Sequence, residues 1–543
     1  DPCHDPARAI PVENIKEVRM TYVLGIDVGS GSARCGVFDV TGALLGTAKQ
    51  EIAINRPAPD HVEQSSTDIW SAIRVATKQA VADANVDPAD VLSLSYSATC
   101  SLVLLDQDHA PLPVSDGDEN WNIIMWMDHR AGAETNICNA TGSTVLKNLG
   151  GAISVEMEVP KLMWVKRNRP DVWKRLGYAG DLADFLGLRS TGIDKRSICT
   201  VGCKWTYDAD HDCWNEQFFD QVGLSDLAER AALPAKASQI GEALGPLTAV
   251  AADDLGLTTS CQVAVGLIDA HAGALGTSGL FADDALNTRL ALIAGTSNCH
   301  IALTQERVEV PGVWGPYNGA VHNGFYALEG GQSATGAMLD QIIALFAASS
   351  AYGDAPHGPL SDDLLTRMAQ NPDQAGDVMV LPDFIGNRSP IADPDLRGAI
   401  TGLTLEDPED TFRKVYWAAC ASIAYGTRQI IDAMRNQGVP IDKLHLSGGH
   451  ANSKLLVQLY ADATGCNVIV ANAPEPVLLG AAISAATPLG DAFPLATNDA
   501  VRSASIVVPN PKATALHNAR YQRFCAHYEN PAESAERTVA VHA

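Results

Sequence analysis

Asp269 ends the apolar run 262–269 and is followed by Ala270, His271, Ala272 and Gly273, small or neutral neighbours at a helix start. A helix N-terminus favours an ionised carboxylate, and a general base must be ionised to accept a proton. In phosphoryl transfer such a group aligns and deprotonates an attacking hydroxyl. The competing reading of the same spacing is an N-cap aspartate without chemistry. A second aspartate, Asp27, heads the turn Gly29, Ser30, Gly31 and Ser32 between the apolar runs 23–26 and 35–38. Small residues there leave backbone N–H groups open to an anion. An aspartate beside a phosphate fits a divalent cation lying between the two negative groups. The turn lacks the lysine of G-x-x-x-x-G-K-[ST], and a strand rather than a helix follows it. Taken alone, a tight Gly/Ser hairpin is the plainer account.

Two further turns change that balance. Gly295, Thr296 and Ser297 repeat the opening design inside 290-LALIAGTSNCHIAL-303, strand, turn, strand. Gly448 and Gly449 follow a short strand and open a helix, where bare backbone could approach a nucleotide base or ribose. Turns in both halves of the chain could grip the phosphates of one nucleotide from opposite sides.

A polar segment holds Trp126, Asp128 and Arg130. An indole face suits the C–H face of a sugar while the charged pair meets hydroxyls; an interfacial Trp beside a surface ion pair accounts for the residues equally well. Lys204 could reach a substrate oxygen or cover Trp205 with its aliphatic stem. Asp181 and Asp184 imitate a carboxylate dyad, but Asp181 reads better as a helix cap. His271 and His450 read as helix-start residues, since no metal-ligand spacing accompanies them. The twelve cysteines form no C-x-x-C pairs. Even Cys100, Cys199 and Cys203, near polar segments, read as reduced buried thiols, which points to the cytoplasm.

These residues need elements to hold them. Strands and helices alternate along most of the chain, the pattern of an α/β architecture. An amphipathic helix is expected over 67–86 with Thr67 as its cap, followed by two short strands in 91–106. After Gly448 and Gly449, Leu455, Leu456, Leu459 and Tyr460 define a buried helix face. The duplicated strand–turn–strand unit predicts two related lobes across a cleft.

At 543 residues the chain exceeds one core, given about 100–200 residues per domain. No apolar run reaches the ~18 residues of a membrane span. A formal charge of −26 repels nucleic acid and anionic lipid, so neither is an expected partner. Residues 1–20 lack the apolar core of a secretory signal and read as a disordered extension, with Met20 as a working start. The end of the chain, 511–543, reads as a tail that frays over 525–543.

The chain resembles the FGGY carbohydrate kinases, and within them the pentulose kinases of the ribulokinase type, from about residue 22 to about residue 500. The match is carried in order by GIDVGSGSARCGVFD, SATCSLVLLD, MWMDHRA, EMEVPKLMWVKRN, DLADFLGLRSTG, CKWTYD, VGLIDAHAGALGT, IAGTSNCHIAL, PDFIGNRSPIADPDLRGAITGLTL, SIAYGTRQIIDAM and SGGHANSKLLVQLYADATG. The resemblance implies a two-lobe actin-like, ribonuclease-H-like fold with a duplicated core and a central cleft. It places the first lobe at 21–278, with the sugar site, the first phosphate loop and the base, and the second at 279–510, with the second phosphate loop and the adenosine site. It implies ATP and Mg²⁺ as cofactors. Asp269 becomes the catalytic base, also in contact with sugar and metal, and Asp27 a metal ligand. Gly29, Ser30, Gly31 and Ser32 form the first phosphate loop, and Gly295, Thr296 and Ser297 the second. Gly448, Gly449 and Asn452 lie at the adenosine, and Ala98, Thr99, Trp126, Asp128, Arg130 and Lys204 line the sugar site.

Two departures bear on substrate choice. Ser97 stands where close relatives carry an acidic residue, and Glu158 where a small residue or proline is usual. A lesser mismatch falls at Phe412. The implied activity is phosphorylation of the terminal hydroxyl of a ketopentose, D-ribulose first, with L-ribulose and xylulose as alternatives. An actin/Hsp70-like ATPase acting on a protein partner is the alternative from another class. The expected partners are a small-molecule sugar and ATP, with a homodimer left open.

Overall fold

The structure is a computed structural model that describes residues 20–115, 121–278, 286–471, 475–493, 495 and 504–529. The extension expected before Met20 and the boundary expected at 278/279 fall outside these residues or at their edge. The opening strand β1 (Tyr22–Val28) is apolar at almost every position and buried along its length. That run suits a strand covered on both faces. A tight turn reverses it into β2 (Ser32–Asp39), and β3 (Leu44–Glu51) extends the antiparallel meander. On its other side β1 pairs in parallel with β4 (Val91–Ala98). Beyond that lies β6 (Gln262–Ile268), parallel, and then the antiparallel edge strand β5 (Ala243–Pro246).

The second lobe repeats this plan. Strand β7 (Arg289–Ala294) turns antiparallel into β8 (Asn298–Thr304), and β9 (Trp314–Asn318) and β10 (Tyr326–Gln332) complete that half, in the order β9-β10-β8-β7. On the far side of β7 come the parallel strands β11 (Lys443–Ser447) and β12 (Asn467–Ala471), then the antiparallel edge β13 (Ala504–Val507). Each sheet is therefore a run of antiparallel strands, two parallel strands and a reversed edge. The expected duplication and two-lobe α/β architecture are present. A smaller sheet of five strands takes Asn55–Ala58 and His61–Gln64 from between β3 and β4, and Leu102–Asp106, Ile123–Ile124 and Leu176–Asp181 from between β4 and β5.

The helix α1 (Ser66–Ala84) starts one residue earlier than expected, because the Ser65 hydroxyl accepts from Asp68 N and Thr67 lies inside the first turn. The helix after the third glycine turn, α3 (Lys454–Thr464), buries Leu455, Leu456, Leu459 and Tyr460 as expected, though a short 3₁₀ turn, Gly449–Asn452, comes first. The chain end departs from the reading as a tail. Thr514–Glu529 is a helix, α5, with His517 and Phe524 buried and Arg520 donating to the carbonyls of Gly376 and Val378. Its apolar residues are too few for a clear period, which is why the sequence hid it.

Two helices join the lobes. The helix α2 (Asp269–Ser278) leaves the first sheet and packs on β7 of the second. The helix α4 (Pro476–Ala486), from the second half of the chain, packs back on β1 and crosses α2. A Cβ at Gly480 would lie 1.8 Å from the Ala272 carbonyl oxygen, and one at Gly276 would lie 1.9 Å from that of Pro476. Only glycine permits this approach. Gly480→Ala is expected to lower the urea midpoint by the equivalent of about 1–3 kcal/mol, the usual cost of overpacking.

Candidate active site

The lobes enclose a cleft of about 730 Å³. Its floor is made where strand ends of the two sheets face each other. At one side β1 delivers Asp27, whose carboxylate is fixed by Ser97 Oγ at 2.9 Å and by Arg34 Nη2 at 2.6 Å. Arg34 was not singled out in the sequence, yet it pairs with Asp27 across the β1–β2 ladder. Its other arm reaches Glu475 at 3.1 Å, just ahead of α4. Ser97 thus holds Asp27 by a neutral hydroxyl where an acid would have repelled it.

The first turn is closed by Gly29 N donating to Ser32 O at 3.0 Å, and the second by Gly295 N donating to Ser297 O at 3.0 Å. Gly29, Ser30 and all three residues of the second turn line the cleft; Gly31 and Ser32 form the outer rim of their turn and do not. Gly448, Gly449 and Asn452 also line it, beside Ala451 and Val470. Gly448 has φ of +85°, and its missing Cβ would lie 2.4 Å from Ala294 O. Both constraints demand glycine there.

Asp269 stands at the start of α2, with Oδ1 accepting from Ala270 N at 2.7 Å. Burial first, and then the neighbouring Asp27 carboxylate, push its pKa up to about 7. A carboxylate poised near neutrality can both take and hold a proton at working pH, which the reading as a plain cap does not require.

Beside it Lys204, at the end of the helix Ile198–Lys204, places Nζ 3.9 Å from Glu329 Oε2. Burial opposes the charge on both groups, yet their mutual attraction holds Lys204 well above and Glu329 below their ordinary pKa values. The Lys204 ammonium lies 4.5 Å above the Trp314 ring, not along Trp205. Arg388 also lies over that indole, 5.5 Å from its centroid, and pairs with Glu156 at 2.9 Å. Both ion pairs join the first lobe to the second. Trp126 lines the cleft and anchors its indole N–H on Ser30 Oγ at 3.0 Å, and Thr99 and Cys100 lie beside it.

Three residues expected at the sugar are elsewhere. Ala98 is buried within β4, one residue before the lining Thr99. Asp128 and Arg130 have no side-chain exposure: Arg130 Nη2 bonds Asp128 at 2.7 Å and Glu63 at 2.8 Å, and Asp128 accepts from Val62 N. Neither on the surface nor among the residues lining the cleft, they form a buried network with Glu63. Arg130→Met is expected to destabilise the fold by about 3–5 kcal/mol, because two carboxylates lose their partner. The KM for sugar of the folded protein should stay unchanged, read by urea titration and steady-state kinetics. Asp181 sits at a cap position, but neither carboxylate oxygen accepts a hydrogen bond among the described residues.

The residues missed were Arg34, Glu156, Trp314, Glu329, Arg388 and Glu475. The hairpin register could have found Arg34, since a four-residue turn over Gly29–Ser32 sets it opposite Asp27. Arg388 lay in the quoted GNRSP segment without a role.

Profiles of the FGGY family of carbohydrate kinases match residues 22–276 with the N-terminal domain and 290–488 with the C-terminal domain. The chain belongs to the FGGY family of carbohydrate kinases. It is 41% identical over 529 residues to an FGGY carbohydrate kinase domain-containing protein of Xenopus laevis, covering 93% of this chain and 95% of that protein. A D-ribulokinase of Saccharomyces cerevisiae is 34% identical over 85% of this chain and 72% of its own length. The fold is shared with a ligand-bound xylulose kinase from Lactobacillus acidophilus, at a TM-score of 0.80 and 19% identity, covering 95% and 99% of the two chains. This FGGY chain is thus a carbohydrate kinase. No helix among the described residues is long and apolar enough to cross a membrane.

Proposed function

We propose that this kinase transfers the γ-phosphoryl group of ATP to the terminal primary hydroxyl of a ketopentose, D-ribulose before its epimers. The observation that carries the reading is Asp269, a carboxylate raised to about 7 at the junction of two phosphate-type turns and the Lys204–Glu329 pair. The sugar chosen rests on likeness to the yeast relative named D-ribulokinase.

In this reading the phosphates of ATP lie between Gly29–Ser30 and Gly295–Ser297, where backbone N–H groups face the anion. The adenosine lies along Gly448, Gly449 and Asn452. The sugar occupies the inner end, against Trp126 and Thr99, with Lys204 donating to and Glu329 accepting from its hydroxyls. Paired cations and anions leave that end near neutrality, which suits an uncharged polyol. Ionised Asp269 takes the proton of the terminal hydroxyl as its oxygen bonds to phosphorus and the bond to the leaving ADP oxygen breaks. Asp27 and Asp269 are hard oxygen donors close enough that the Asp27 charge raises the cost of ionising Asp269, a donor set that fits Mg²⁺. When bound, that ion supplies neutralisation of phosphate charge. Lobe closure expels water and aligns hydroxyl and phosphate.

The pH dependence has a definite sign. Below about pH 7 Asp269 is protonated and cannot act as base. Log kcat/KM is expected to fall with unit slope on the acid side of that value, and a flat profile down to pH 5 would contradict it. Carbon-13 and phosphorus-31 NMR of the product tests the regiochemistry. Phosphate on the terminal carbon of the pentulose supports the proposal, and phosphate on any other carbon overturns it.

A further inference from the structure

One group of buried side chains lies beside the cleft, and three of its four members have no role in the proposed transfer. Cys199 and Cys203 are one helical turn apart on Ile198–Lys204 and so share a face. His271, on α2, points at that face. The ligand atoms of these three fully buried residues all lie within 4.8 Å of one another. Cys203 Sγ is 3.7 Å from His271 Nε2, and the same nitrogen is 3.7 Å from Glu329 Oε2. Glu329 is buried, and its Oε2 has no hydrogen-bond partner among the described residues. Two thiols and one imidazole nitrogen thus converge, and the Glu329 carboxylate, which also faces Lys204, stands beside the imidazole.

We propose that Cys199, Cys203 and His271 hold a thiophilic divalent cation of the zinc class, and that the adjacent Glu329 carboxylate moves onto the ion to complete a tetrahedron. Bonds of about 2.3 Å to sulfur and about 2.0–2.1 Å to nitrogen or oxygen give ligand–ligand edges of roughly 3.5 Å. The two 3.7 Å contacts are close to such edges. Mixed sulfur and imidazole ligands select this class over the hard Mg²⁺ expected at the phosphates. Ile268 N donates to Cys199 Sγ at 3.4 Å, the kind of backbone bond that supports a ligating thiolate. Binding releases the thiol protons to solvent and forms two metal–sulfur bonds, with no change of oxidation state. Because Glu329 lines the cleft, the ion enters from there.

The same carboxylate pairs with Lys204. A bound cation therefore takes Glu329 away from the sugar end, and phosphorylation is inhibited; this consequence alone rests on the function proposed above. Metal binding itself is read without any turnover.

The test titrates the reduced, chelator-stripped full chain with Cd²⁺ in the presence of Mg²⁺. The expected result is a thiolate-to-cadmium charge-transfer band saturating at one ion per chain, competed away by Zn²⁺. Cys199→Ser and Cys203→Ser should abolish the band, and Cys213→Ser, at an exposed thiol outside the cluster, should leave it unchanged. Glu329→Gln should weaken binding about 10–100-fold. Zinc-edge X-ray absorption on the unaltered protein gives a readout independent of variant folding, with sulfur, nitrogen and oxygen neighbours expected. A band that survives Cys203→Ser, or a bound zinc without sulfur neighbours, overturns the site. Zinc that saturates the site without slowing ADP release overturns the inhibitory consequence.

Discussion

Asp269→Asn folds, keeps its affinity for ATP and loses about 10²–10⁴-fold in kcat, the range that removal of a positioned general base usually costs. Asparagine preserves the shape and the acceptor that meets Ala270 N at 2.7 Å, so the start of α2 keeps its geometry. What it cannot do is accept the hydroxyl proton. Stability should move the other way. The folded carboxyl titrates near 7 and the unfolded one near its ordinary value, so the folded state binds the proton more tightly between them. The wild type therefore loses stability as pH rises from about 4 to about 7. The variant should melt above the wild type at pH 8, with the difference vanishing towards pH 4. Loss of turnover together with a gain in stability separates a spent catalytic strain from a damaged fold. Retention of more than a tenth of wild-type kcat would remove Asp269 from its role.

Lys204→Met gives the second large effect. The ammonium is buried, pairs with Glu329 at 3.9 Å and lies over Trp314. Its loss removes a donor to the sugar and leaves a buried carboxylate without its main partner. With about 1.5–3 kcal/mol for a charged hydrogen bond, kcat/KM for the pentulose should fall about 10²-fold, mostly through KM. Hydrolysis of ATP without sugar should not change. Glu329 is held below its ordinary pKa chiefly by Lys204 against the cost of burial, so in the variant its pKa rises. Sugar affinity should then weaken at a higher pH than in the wild type. Equal loss of sugar-dependent and sugar-independent rates would place Lys204 at the nucleotide instead.

The core of the fold was legible because its signal repeats. Apolar strand, small-residue turn and apolar strand occur once per lobe, and each became an antiparallel pair with parallel strands beside it. Asp27, Asp269 and the glycine turns were legible for the same reason: they sit at strand ends, where residue type and position are read together. The sugar end was less so. Asp128 and Arg130 look like a hydroxyl-binding pair in one dimension, but Glu63, sixty-odd positions earlier, closes them into a buried network. Glu329 and Arg388 come from the second lobe and meet Lys204 and Glu156 only once the lobes are assembled. Pairing across such distances leaves no local spacing to find. The cluster of Cys199, Cys203 and His271 escaped likewise, since the histidine lies on another helix. Terminal helix α5 is held by Arg520 and by aromatic packing against the second lobe rather than by its own amphipathic stripe.

The central claim is that a pentulose hydroxyl attacks ATP with Asp269 as base. It is tested most directly by coupled ADP release measured in parallel for wild type and Asp269→Asn with D-ribulose, L-ribulose, D-xylulose, L-xylulose and ribitol. The account predicts a wild-type rate that depends on the sugar, highest kcat/KM with D-ribulose, and near-complete loss for every sugar in the variant. A wild-type rate indifferent to all of them would contradict it and favour an ATPase that acts on a protein partner.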